Sequence, residues 1–85
     1  MSDTIEVNVL LFAVVADAIG TSRMTLQLPA GAMAGDVLLR LASTHPDAAS
    51  LLDQSAIAVG KSFVPTDTPL KAGDEVAVIP PVSGG

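Results

Sequence analysis

The sequence has no cysteine, no tryptophan and no tyrosine, and each absence removes a class of chemistry. Without cysteine the chain cannot form disulfides, bind zinc or iron–sulfur clusters through sulfur, or use a thiol nucleophile. Its two aromatic residues, Phe12 and Phe63, offer almost no surface for stacking on bases or sugars. The one histidine, His45, lies at a predicted helix end, where such residues usually complement the helix dipole. We therefore predict neither a metal site nor catalysis by the chain alone.

Basic residues and long apolar runs are also scarce. Nine acidic residues against four basic ones give a net charge of −5, which argues against a nucleic-acid partner because phosphates require a basic surface. The longest apolar run, Val9 to Ala16, has eight residues. A membrane-spanning helix needs about 20, so no membrane association is expected. The start, Ser2-Asp3-Thr4, lacks the positive charge of a signal peptide, and this favours a cytoplasmic location.

The chain has 85 residues, of which 49% are hydrophobic, enough for one folded domain with an aliphatic core. We predict a domain over residues 1–79 and a projecting tail over residues 80–85. Alternation of apolar residues predicts strands at 5–12, 23–29, 56–59, 62–64 and 75–79. Apolar residues at helical spacing predict one long helix over 34–45, and short helical turns are expected at 14–19 and from residue 47.

This order of elements predicts an α+β fold, with one mixed sheet of about five strands packed on one main helix. The β-grasp, or ubiquitin-like, roll fits this order, because a helix crosses one face of the sheet between the first hairpin and the remaining strands. The other face of the sheet would then be open.

Several apolar residues are predicted to lie on that open face. If Val7 and Val9 face the helix, the period of two places Leu10 and Phe12 on the opposite side. In the last strand the same alternation places Ala77 and Ile79 there, and Phe63 is a candidate to join them. Large apolar residues are more often core residues, but an exposed apolar patch beside a projecting tail is typical of an interface. We predict that Leu10, Phe12, Phe63 and Ile79 dock a partner.

The C-terminal segment has an unusual composition: Pro80, Pro81, Val82, Ser83, Gly84 and Gly85. Two consecutive prolines cannot continue a paired strand, so they direct the chain out of the sheet in an extended form. From Val82 to Gly85 the chain can reach about 13 Å when extended, enough to enter a cleft of another protein. Without side chains, the last two residues can enter a narrow channel. A frayed, functionless tail is the competing interpretation.

Four segments together form a familiar pattern: Leu11-Phe12-Ala13, Gly35-Asp36-Val37-Leu38, Pro69-Leu70-Lys71-Ala72-Gly73-Asp74 and the ending from Glu75 to Gly85. They resemble the MoaD-type sulfur carriers, the small subunits of molybdopterin synthase, which belong to the ubiquitin-like MoaD/ThiS family. The chain departs from the family pattern at Ala16-Asp17, Met33, Gly60 and Val78-Ile79.

The resemblance implies a carrier with no bound cofactor. An E1-like, MoeB-type enzyme would use ATP to adenylate the Gly85 carboxylate, and a sulfur donor would convert it to a thiocarboxylate. The tail, Pro80 to Gly84, would then insert into a MoaE-type large subunit, in a heterotetramer, and sulfur would pass to the pterin precursor. The resemblance also implies docking through Phe12, Phe63 and Ile79.

Four alternatives remain at this point. A ThiS-type carrier for thiazole synthesis and a carrier for cysteine synthesis would use the same glycine chemistry, although the Pro-Pro-Val-Ser-Gly-Gly ending favours the molybdopterin branch. A ubiquitin-like protein modifier would instead join Gly85 to a lysine. A non-reactive β-grasp binding module would not need its C-terminal carboxylate at all.

Overall fold

The computed structural model describes residues 3–81, and within this range the chain forms five strands and three α-helices. A 3-10 helix, Pro46–Ala48, leads into the third α-helix. The elements follow the predicted order: β1 Thr4–Leu11, α1 Ala13–Ile19, β2 Arg23–Pro29, α2 Ala34–Thr44, α3 Ala49–Asp53, β3 Ala56–Val59, β4 Ser62–Val64 and β5 Glu75–Ile79.

The strands form one mixed sheet in the order β2-β1-β5-β3-β4. β1 and β5 are parallel, whereas every other neighbouring pair is antiparallel. A parallel pair needs a long connection, and here the chain supplies β2, the helices, β3 and β4 between the two central strands. The predicted β-grasp topology is confirmed.

The core lies between one face of this sheet and the helices. Val7 and Val9 of β1, with Val76 and Val78 of β5, have no exposed surface, and α2 contributes Leu41 to the same cluster. Burial of one such aliphatic side chain stabilises the fold by about 1.5–3 kcal/mol. The period of two therefore assigns the faces of both central strands as predicted.

The first strand ends one residue earlier than the sequence suggests. Phe12 has extended backbone angles, φ −120° and ψ 150°, and it is the N-cap of α1. Its carbonyl oxygen accepts hydrogen bonds from the N–H groups of Val15, at 3.0 Å, and Ala16, at 3.3 Å. Phe12 therefore lies just beyond the strand, at the junction between β1 and α1.

A loop over residues 65–69 lies directly against the start of α2. The N–H of Ala34 donates to the carbonyl of Thr68 and that of Gly35 to the carbonyl of Thr66, each at 2.8 Å. A Cβ atom at position 35 would lie 3.0 Å from Thr66 Cβ and 3.2 Å from its carbonyl oxygen. A side chain at this position would have to push Thr66 away, so the absence of a Cβ at Gly35 favours the close packing of the loop on the helix.

Candidate functional site

A single row of residues crosses the open face of the sheet from edge to edge. The strand register pairs Arg23 with Leu10, Leu10 with Ala77, Ala77 with Ala58, and Ala58 with Phe63. Leu10 and Ala77 are half-buried, and Ala58 is buried although it is not part of the core between sheet and helices. Phe63, at the end of the row, is 70% exposed. Because the neighbouring alanine side chains are small, the Phe63 ring projects from an otherwise flat apolar surface.

Two further apolar residues extend this surface toward the end of β5. Ile79 is half-buried and pairs with Ala56 of β3. Phe12 follows the last registered pair, Leu11 with Val78, and so lies level with Ile79; it is 46% exposed. We call Leu10, Phe12, Phe63 and Ile79, with the alanines between them, the open apolar face.

The open apolar face covers only one end of the sheet. In the opposite direction along the strands, the next row consists of Thr25, Asn8 and Glu75, which are polar and exposed. The apolar end is the end at which β5 finishes and Pro80 begins. The open apolar face therefore lies next to the start of the C-terminal segment.

The C-terminal segment leaves the sheet at this end. Pro80 is half-buried and Pro81 is exposed, and neither can donate a backbone hydrogen bond to a neighbouring strand. The remaining predicted tail residues, Val82, Ser83, Gly84 and Gly85, lie outside the described residues. The sheet thus ends at Ile79, as predicted.

Across residues 3–81, no group of three histidine, cysteine, aspartate or glutamate side chains could hold a metal ion. His45 ends α2, and its Nδ1 lies 3.0 Å from the hydroxyl oxygen of Thr44. In the same range no helix has both the length and the apolar character needed to cross a membrane. Of the residues predicted to dock a partner, all four lie on the open apolar face, which is the candidate functional site in the described part of the chain.

Four residues of this face were predicted from the sequence, but two members of the row, Ala58 and Arg23, were not. Ala58 and Arg23 carried no signal of their own, because neither an alanine nor a strand-end arginine is unusual. The two-residue turn at Gly60 and Lys61 did contain the information. Such a turn fixes the hairpin register, and this register places Ala58 opposite Phe63.

Known proteins of similar sequence and fold indicate the family to which this chain is related. The sequence model of the ThiS family matches residues 9–85. The molybdopterin synthase sulfur carrier subunit of Chlamydomonas reinhardtii is 38% identical, and the match covers 94% of this chain and 99% of that protein.

Two solved structures show the same fold. The small archaeal modifier protein 1 of Methanosarcina acetivorans is 28% identical, with a TM-score of 0.82 and coverage of 99% of this chain and 100% of that one. Subunit 1 of the molybdopterin-converting factor of Helicobacter pylori, solved in complex with subunit 2, is similar in fold alone. It is 24% identical, with a TM-score of 0.65 and coverage of 95% and 100%.

Proposed function

The chain belongs to the ThiS family, and from this premise we propose that it is the sulfur carrier subunit of a molybdopterin synthase. The observation that carries the proposal is the match to a protein of that name over nearly the full length of both chains. The family match continues through Gly85 and so includes the Pro-Pro-Val-Ser-Gly-Gly segment. The fold supports it, since the open apolar face lies where this segment begins.

In the proposed mechanism the reactive group is the carboxylate of Gly85. An E1-like, MoeB-type enzyme binds ATP, a carboxylate oxygen attacks the α-phosphorus, and pyrophosphate leaves. The resulting acyl-adenylate is a good electrophile because AMP is a better leaving group than oxide. Sulfide delivered by a sulfur donor attacks the acyl carbon, AMP leaves, and a thiocarboxylate remains.

Sulfur transfer would take place in the large, MoaE-type subunit. The thiocarboxylate sulfur attacks an electrophilic carbon of the pterin precursor there and displaces an oxygen substituent from that carbon, which forms a thioester. Water then attacks the acyl carbon and the pterin thiolate leaves, so that sulfur stays on the pterin and the carboxylate of Gly85 is restored. Two such transfers supply both sulfurs of the dithiolene. The catalytic side chains belong to the large subunit, and this chain contributes the sulfur and its delivery.

The open apolar face provides a docking surface for this delivery. An exposed aromatic residue above a flat apolar floor is the kind of feature that forms a binding hot spot when a partner covers it. Docking at this end of the sheet would bring Pro80 and Pro81 against the same partner. The stiffness of two prolines would then limit the directions in which the last residues can enter its cleft.

Intact-mass spectrometry tests the proposed function directly. The chain is incubated with ATP, a MoeB-type activating enzyme and a sulfide source, and the expected result is that the mass of the intact chain rises by one oxygen-to-sulfur exchange. The matched control carries one additional residue after Gly85, which blocks the carboxylate and leaves residues 3–81 unchanged. Equal mass gain in both proteins, or none in either, would contradict the proposal.

A ubiquitin-like modifier is the second candidate, favoured by the likeness to the small archaeal modifier protein 1. A modifier would form an isopeptide between Gly85 and a lysine of another protein. The two functions separate in one experiment: a carrier gives the thiocarboxylate and no conjugates, whereas a modifier gives higher-mass conjugates that depend on ATP and Gly85.

A further inference from the structure

A second apolar surface lies on the helical side of the molecule, on the far side of the sheet from the open apolar face. It is a groove of about 750 Å³ between α2, α3 and the loop over residues 65–69, and Leu38, Leu39 and Leu52 are among its lining residues. This volume is in the range of about 300–1,000 Å³ that is typical of ligand-binding pockets. We call it the helical groove.

The helical groove exists because α2 carries more apolar surface than the core uses. At about 100° per residue, the apolar side of this helix runs from Val37 through Leu41 and Leu38 to Leu39, an arc of about 200°. An amphipathic helix needs a stripe of only about 100° to face a core. Val37 and Leu41 fill that stripe and are buried, whereas Leu39 is 68% exposed. The surplus part of the arc faces the groove.

The charged residues that line the helical groove are all acidic. Asp36, Asp53 and Asp67 line it, and none of its lining residues, all of which belong to the described part of the chain, is basic. One oxygen of Asp36 accepts the N–H of Met33 at 2.8 Å, but Asp53 and Asp67 are exposed side chains. Apolar walls beside uncompensated carboxylates favour a ligand that is both apolar and cationic.

We propose that the helical groove is a docking site for a cationic amphipathic helix of a partner protein. Leucine-like residues spaced by three and four positions would enter the groove, and lysine or arginine residues beside them would reach Asp53 and Asp67. A second copy of this chain does not fit, because its net charge of −5 would be repelled by the same carboxylates. The open apolar face and Pro81 stay accessible, so a partner in the groove can hold the chain while another uses that face.

The test uses a synthetic helical peptide of about 14 residues, four turns, with leucines on one face and lysines elsewhere. Its twin carries glutamate in place of every lysine. Calorimetry with the full-length chain should show saturable binding of the lysine peptide and no binding of the glutamate peptide. The affinity for the lysine peptide should fall as the salt concentration rises from about 0.01 M to about 1 M. Amide chemical shifts should change at Leu39, Ser50 and Asp53.

Two variants test the groove, each with a matched control. Leu39→Ser and Asp53→Lys should each weaken peptide binding by about tenfold. Their controls on α1, Val14→Ser, at a side chain that is 54% exposed, and Asp17→Lys, with the same change of charge, should leave it unchanged. All four positions are exposed, and circular dichroism before titration verifies that each variant is folded.

Several results would overturn the proposal. In calorimetry they are no saturable binding of the lysine peptide, or equal binding of the glutamate peptide. Amide chemical shift changes centred on Phe63 rather than Leu39 would also contradict it. So would a loss of affinity in the control variants equal to that in the groove variants. Sedimentation that shows a dimer of the chain, abolished by Leu39→Ser, would assign the groove to a second copy instead. Because the peptide experiment involves neither sulfur nor Gly85, its outcome is independent of the proposed function.

Discussion

Replacement of Phe63 by aspartate should weaken association with the large subunit far more than it weakens the fold. An aromatic side chain buries about 150–250 Å² when fully covered. Since Phe63 is 70% exposed in the free chain, a partner can still cover about 105–175 Å² of it. At about 25 cal/mol per Å² this area corresponds to roughly 2.6–4.4 kcal/mol of binding free energy, an upper bound because ordering costs are left out.

The effect on folding follows from the fraction of Phe63 that is already covered. The remaining 30% of the side chain amounts to about 45–75 Å², or roughly 1–2 kcal/mol of folding free energy by the same coefficient. We therefore expect Phe63→Asp to weaken binding by at least about 2 kcal/mol, the usual threshold for a hot spot, with a smaller loss of stability. Phe63→Leu should retain most of the affinity, because it keeps most of the apolar area.

Calorimetry with the large subunit and urea denaturation of the free chain measure the two quantities. Leu39→Asp is the matched control, because Leu39 is 68% exposed but lies on the helical side of the molecule. It introduces the same charge and should leave affinity for the large subunit unchanged. The reasoning is refuted if Phe63→Asp leaves the affinity unchanged, if Leu39→Asp weakens it equally, or if lost stability accounts for all of the lost binding.

Three further predictions concern single residues. Deletion of Gly85 should abolish sulfur loading, measured by intact mass, and leave the thermal melt of the chain unchanged, since the core cluster of the described residues lies between Val7 and Val78. Gly35→Ala should lower the free energy of unfolding in urea by about 1–3 kcal/mol, because the new Cβ would crowd Thr66 at 3.0 Å; a gain, as helix propensity alone predicts, would contradict this. Lys61→Gly should raise the free energy of unfolding by up to about 1 kcal/mol, because Lys61 has φ 74° in the hairpin turn. An unchanged free energy of unfolding would indicate that the turn is not strained.

The order and type of the elements could be predicted from the sequence because each signal is local. Examples are the period of two in β1 and β5, the helical spacing in α2 and Gly20 at the end of α1. Each of these signals can be read from residues that are close together in the sequence. Boundaries could be predicted only to within a residue. Phe12 continues the apolar alternation of β1, but its carbonyl begins the hydrogen bonds of α1. A pattern of side chains cannot show where backbone hydrogen bonds change partner.

The sequence by itself determined which residues face each side of every strand, since alternation is a property of the extended chain. It therefore placed Leu10, Phe12 and Ile79 on one side and made Phe63 a candidate for the same side, and the strand register agrees with this placement. Only the tertiary structure decided that Ala58 and Ala77 lie between them, and that the helical groove forms. These features depend on the strand order, in which residues distant in sequence become neighbours, and on the fit of three elements against one another, which no local pattern encodes.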